Sequence, residues 1–267
     1  MNQPLGRISA IFQRYVLLHR RSLIRAFDIC FWPVMDLLIW GFVTMYLRQL
    51  TGGSAAQVLV FLIGALISWD IHYRGQQAVT ISLMEEIWTR NIVNLLIAPI
   101  RLWEWIAASF LYATLKVGLV TLILCVLAKT LYAFEIVRVG WTFVPLAASL
   151  LLFGWAIGLL TAGLLLKFGY AAEALIWGIP FLLQPFSCVF YPIDSLPHWA
   201  QLMARCLPST YAFEALRISL RGGTVEWTAW GWIVGLNVSY FALGLSCLIW
   251  CFQDARAAGR LSRLGQE

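Results

Sequence analysis

The chain has 267 residues, 61% of them hydrophobic and only 12% charged, with a mean hydropathy of +0.79 and a formal net charge of +6. An average soluble domain carries about 25% charged residues, so this composition leaves too little polar surface to cover a water-soluble fold. A basic excess would suggest nucleic acid in a soluble protein, but here Lys and Arg flank apolar runs; anionic lipid and membrane orientation account for them, and nucleic acid is excluded as a partner.

Six apolar runs are long enough to be read as membrane spans. No polar stretch is long enough for a second domain. The expectation is an all-α integral membrane protein: an interfacial helix over 1–26, a six-span bundle over 27–252 and a cytoplasmic tail over 253–267. Met1 to Arg25 is too charged and too long to be a cleaved signal peptide. Arg7 to Arg25 reads as a helix on the membrane surface. Ile8, Ile11, Phe12, Tyr15 and Leu18 share one face, and Arg7, Arg14, Arg21 and Arg25 form a stripe placed to reach lipid phosphates.

The first span runs from about Phe27 to Leu47, and a Thr51-Gly52-Gly53-Ser54 loop follows. The second runs from about Val58 to Ile71, which leaves Asp70, His72 and Arg74 at its inner end, where ionisable groups cost little. Arg74 to Arg101 reads as a polar helical connector. Within it, Met84 to Ala98 is amphipathic, with Met84, Trp88, Ile92, Leu95 and Leu96 on one face. Glu86, Arg90 and Asn94 line another, and Glu86 placed four before Arg90 predicts an ion pair. Pro99 ends that helix. By pattern alone it either rests on lipid or offers its polar face to a partner.

The third span covers about Trp103 to Leu127, Lys129 to Arg138 is a loop, and the fourth span covers about Trp141 to Leu166. A tight turn over Lys167 to Glu173 leads to a fifth span that Pro180 and Pro185 kink or break. From Gln184 to Arg217 the chain mixes apolar residues with Pro185, Pro192, Pro197 and Pro208, too apolar for a solvated loop and too broken for a span. A re-entrant outer helical segment is predicted there. The sixth span covers about Trp230 to Phe252. A two-to-one excess of Lys and Arg on one side places both termini in the cytoplasm.

Lys116 lies near the middle of the third span, about 12 residues or ~18 Å of helix from either end. A charge so deep costs at least ~2.5 kcal/mol and needs a partner. Asp36, near the middle of the first span, is the acid at matching depth. The two are expected to approach each other or share a polar cavity, as a structural pair or as part of a pathway. Cys188 and Cys206 both fall near the outer side, where a disulfide between them is open. Gly154 with Gly158, and Gly231 with Gly235, allow close helix contacts.

Trp88 to Arg101, W-T-R-N-I-V-N-L-L-I-A-P-I-R, resembles the cytoplasmic helix of type-2 ABC transporter permeases. Pro185 to Arg217, with P-F-S-C-V-F-Y-P-I-D-S-L-P-H-W and L-P-S-T-Y-A-F-E-A-L-R, resembles that family's segment between the fifth and sixth spans. The resemblance covers essentially the whole chain. It implies a permease in the bacterial inner membrane that exports a lipidic, drug-like or glycan substrate by alternating access. A separate ABC ATPase subunit would carry ATP and Mg, this chain binding no cofactor of its own. A second permease copy, expected as a homodimer, would complete the path. Glu85, Glu86, Trp88, Arg90, Asn91 and Asn94 would couple to the ATPase, Asp36 and Lys116 would lie on the path, and Pro185, Phe186, Tyr191, Pro192 and Pro197 would form the outer gate segment. The first, second and fifth spans would border the path. Cys188 stands where relatives often carry a small residue such as Gly. The chain has no G-x-x-x-x-G-K-[ST] loop to hold nucleotide phosphates, so it is read as a transporter subunit and not an enzyme. The competing readings are an intramembrane acyl or glycosyl transferase built on Asp70, His72 and His198, and a non-transporting membrane scaffold.

Overall fold

The computed structural model describes residues 4–50, 56–89, 91, 100–134 and 136–259. These residues form nine α-helices, three 3-10 turns and no strand. Helix α1 (Pro4–Arg20) is followed by α2 (Leu23–Leu50), α3 (Ala56–Trp88) and α4 (Leu102–Tyr132). A 3-10 turn (Ile136–Thr142) leads into α5 (Phe143–Phe168), and a second (Gly169–Ala172) into α6 (Ala174–Phe186). The remaining elements are a third 3-10 turn (Ile193–Ser195), α7 (His198–Arg205), α8 (Pro208–Leu220) and α9 (Trp227–Ala257).

Among the described residues, four segments are long and apolar enough to cross a membrane: Ile29–Leu47, Leu102–Tyr132, Val139–Phe168 and Trp227–Ala257. Helix α6, where a fifth span was expected, has 13 residues, or about 20 Å, against a hydrocarbon core of about 30 Å. Pro180 and Pro185 are accommodated inside it.

Helix α3 is the axis of the bundle, packed by α2, α4, α5 and α8. Every residue from Phe61 to Trp69 and from Arg74 to Thr80 is buried, the signature of a helix enclosed by protein on all sides. This corrects the sequence expectation that the second span stops near Ile71. No glycine–proline break interrupts 56–88, and Gln76, Gln77 and Thr80 are buried, so the helix runs on through the segment read as a connector. It ends at Trp88, and residues 90 and 92–99 of the stretch read as an amphipathic helix lie outside the described residues.

Close approach of α3 to α5 depends on glycine. A Cβ on Gly154 would lie 2.5 Å from the His72 carbonyl oxygen, and one on Gly158 would lie 2.9 Å from that of Gln76. Gly231 and Gly235 have nothing within 4 Å of such a Cβ among the described residues, so that second pair supports no close helix approach there. Helix α4 continues past Lys129, where a loop was expected. It stops only at Ala133, which takes a left-handed φ of 52° while its N–H and that of Phe134 satisfy the Lys129 and Ala128 carbonyls.

Candidate functional site

Three polar constellations stand along the bundle: one at the end that carries α1, one midway and one at the far end. The first is built on α1. Ile8, Ile11 and Tyr15 share its buried face and pack with Met84 and Ile87 of α3 and Trp105 and Ile106 of α4. The Trp105 indole N–H donates to the Tyr15 hydroxyl at 2.9 Å, and that hydroxyl donates to the Ser82 carbonyl at 3.4 Å. Burial, reinforced by the Glu86 carboxylate, holds the Tyr15 phenol well above its usual range, so it remains a donor at any physiological pH.

Arg7 and Arg14 leave the same helix toward two carboxylates with no solvent exposure. Arg7 Nη2 meets Glu104 Oε1 at 2.6 Å, and Arg14 meets Glu86 through both fork nitrogens, at 2.7 and 3.0 Å. These arginines were expected to reach lipid phosphates. They neutralise buried acids instead, because an unpaired carboxylate at full burial costs several kcal/mol. Glu86 is also met by Asn91, whose Nδ2 donates to Oε2 at 2.6 Å; the expected Glu86–Arg90 pair falls on Arg90, outside the described residues. Glu104 Oε2 accepts the Arg101 backbone N–H at 2.8 Å. Each carboxylate therefore joins α1 to one end of the segment between α3 and α4. Glu85 is half-buried and Trp88 is exposed at the α3 terminus. Arg90 and Asn94 lie outside the described residues.

The second constellation lies midway along α3. Arg74 Nε donates to both oxygens of Asp70, at 2.8 and 3.0 Å, and the two side chains are 6% and 12% exposed. Asp36 of α2 and Lys116 of α4 are close enough to act on Asp70 electrostatically. Asp36 also lies within electrostatic reach of Arg74. Asp70 is thus the shared electrostatic neighbour of Asp36, Arg74 and Lys116. Asp70 and Arg74, expected to reach the membrane interface, are largely buried within the protein. The longer α3 moves them to mid-helix, where protein surrounds them. Asp36 is exposed on α2. His72 is fully buried and stacks on Phe153 at 4.7 Å. The Asp70 carboxylate is committed to Arg74 through both oxygens.

The third constellation orders the proline-rich segment. Arg217 of α8 donates to the carbonyls of Cys188 and Tyr191, pairs with Glu214 and lies over the Phe61 ring at 4.4 Å. Glu214 accepts the Ile193 N–H at 3.0 Å. The Tyr191 hydroxyl donates to the Pro185 carbonyl at 2.6 Å, and Thr210 donates to that of Phe186 at 3.0 Å. Phe190 stacks on Trp40 of α2 at 4.8 Å. Pro192 precedes the 3-10 turn and Pro197 caps α7, each extended. Buried Cys188 adopts φ 53°, so the position does need the left-handed geometry that Gly takes without strain. Cys188 and Cys206 are both free thiols.

Sequence reasoning missed Glu104, Arg217 and the destination of Arg7 and Arg14. The signals were present: Arg7 and Arg14 are two turns apart beside the apolar face of α1, and Arg217 sits in an apolar stretch much as Lys116 does.

A family model described as ABC-2 type transporter matches residues 8–220. The chain is also 28% identical over 129 residues to the capsule polysaccharide export inner-membrane protein BexB of Haemophilus influenzae, an alignment covering 45% of this chain and 48% of that protein. The matched stretch therefore spans about half the length of that curated relative.

Proposed function

The chain belongs to the ABC-2 type transporter family, and from that premise we propose that it is the membrane-spanning permease subunit of an ATP-driven exporter. The family match over residues 8–220 is the observation that carries this reading. ATP and Mg sit on a partner ABC ATPase, which docks on the segment from Thr89 to Arg101 between α3 and α4. Both termini are cytoplasmic, and the chain crosses the inner membrane six times. ATP binding draws the ATPases together, and the displaced connector shifts the bundle between inward and outward access. Of the lipidic, drug-like and glycan substrates that such a permease could move, the likeness to BexB, a capsule polysaccharide export protein, favours a glycan.

Two copies form the path, as a homodimer, with the first, second and fifth spans along it. Asp36 supports this arrangement. An exposed carboxylate midway along an apolar helix is costly against lipid, and a polar path or a second subunit covers it. Asp36 and Lys116 line that path, and the segment holding Pro185, Phe186, Tyr191, Pro192 and Pro197 closes its outer end.

Co-purification tests the reading. The tagged permease should retain an ABC ATPase, and replacing residues 92–99 with a Gly/Ser linker should release it. Full ATPase retention by the linker variant rejects docking on the connector; no ATPase with the unsubstituted chain rejects the function.

A further inference from the structure

We infer that Arg217, braced by Glu214, is a positioning residue for the proline-rich segment: it holds the left-handed turn at Cys188 and thereby seats Phe190 on Trp40 of α2. Helix α6 ends at Phe186, Ser187 caps it, and Cys188 follows with φ 53°. Glycine takes that conformation after a helix without strain; a cysteine there has to be held. Cys188 is fully buried, so its carbonyl needs a partner within the protein. Arg217 is that partner. Its Nη2 donates to the carbonyls of Cys188 and Tyr191, the latter at 2.6 Å. Two carbonyl oxygens that converge on one nitrogen repel each other, and the guanidinium charge offsets that repulsion.

The guanidinium is itself fixed from two other sides. Its Nη1 stands 2.6 Å from Glu214 Oε1, which also accepts the Ile193 N–H at 3.0 Å. The group lies over the Phe61 ring of α3 at 4.4 Å. The first turn of α8 adds to the grip: the Ser187 and Ser209 hydroxyls are 2.8 Å apart, and Thr210 donates to the Phe186 carbonyl at 3.0 Å. The end of α6 and the turn after it are thus fastened to α8 by polar bonds. Toward α2 the turn presents Phe190, stacked on Trp40 at 4.8 Å with 20° between the rings. A ring stack is weaker than charge-assisted bonds, so the conformation of the turn decides whether the stack forms. The consequence for transport rests on the reading that this segment closes the outer end of the path. With the turn relaxed, Phe190 leaves Trp40 and the closure leaks.

The test places p-azidophenylalanine at position 190 of the full chain in lipid vesicles without nucleotide. Two quantities are read: the photo-crosslink yield to α2, located by peptide mass spectrometry, and the release of trapped carboxyfluorescein. The otherwise unsubstituted chain should crosslink to α2 and hold the dye. In Arg217→Gln the yield should fall about tenfold, the scale of losing charge-assisted bonds, and the dye should escape. Should that variant fail to fold, Glu214→Gln keeps an acceptor for the Ile193 N–H but loses the charge, and should show a smaller fall. Rescue separates positioning from general damage. Cys188→Gly, which takes positive φ freely, should recover most of the yield in the Arg217→Gln background and change it little alone. Cys188→Val should recover none. An unaltered yield in the Arg217 and Glu214 variants overturns the inference, as does recovery by valine equal to that by glycine, or no crosslink to α2 in the unsubstituted chain. A lost crosslink without dye release leaves Arg217 positioning the turn and overturns the reading that this segment closes the path.

Discussion

Asp70 and Arg74 show how a charged residue is tolerated inside an apolar bundle. Each is nearly buried, and Arg74 engages both Asp70 oxygens from one helical turn away. Removing one partner strands the other. Arg74→Met should therefore destabilise the protein by about 3–5 kcal/mol, and Asp70→Asn/Arg74→Gln by distinctly less, read as melting temperature in detergent. An equal loss in both would mean the pair contributes no mutual stabilisation. A neighbouring prediction concerns the path. Asp36→Asn and Lys116→Met should each abolish export while leaving ATPase retention intact, measured by transport into inverted vesicles and by co-purification. Asp36 and Lys116 could be picked from the sequence because each interrupts an apolar run. That Asp70 and Arg74 are their electrostatic neighbours could not: it depends on which faces of α2, α3 and α4 meet.

At the scale of elements, the two glycine pairs look alike in sequence and behave differently in the fold. Gly154→Val should force α5 away from the α3 backbone and cost about 1–3 kcal/mol, since its Cβ would stand 2.5 Å from a carbonyl oxygen. Gly235→Val meets open space within the chain and should stay within about 0.5 kcal/mol for the isolated subunit. Thermal unfolding of both purified variants makes the comparison, and a large loss at Gly235 would reveal a contact that a single chain does not contain. Boundaries divide in the same manner. The starts of α4, α5 and α9 were legible within a few residues because aromatic and charged residues mark them. The end of α3 was not, because its polar residues face other helices instead of water, and polarity alone reads as an exit from the membrane. Cys188 is the converse case: a local pattern suggested a small residue, and the backbone there is left-handed, a demand the sequence expressed only through likeness to relatives.

For the whole molecule, the consequence is a fixed polarity of the bundle, with α1 and the connector at one end and the proline-rich segment at the other. Cysteines introduced at Thr89 and Asp194 should label from opposite sides of the membrane. A membrane-impermeant maleimide should reach Asp194→Cys in intact cells and Thr89→Cys only after permeabilisation; labelling of both from outside would reverse the proposed topology. The amino-acid sequence alone determined that this is a helical membrane protein, since hydrocarbon-length apolar runs satisfy their backbone hydrogen bonds internally only as helices or closed barrels, and its two motifs determined the family. Tertiary structure alone decided the partners of its charges. Arg14 meets Glu86 across 72 residues of chain, Arg7 meets Glu104 across 97, and Arg217 meets the Cys188 and Tyr191 carbonyls across 29 and 26. Local periodicity reports which face of a helix is apolar, but an ion pair between helices is fixed by how those faces pack.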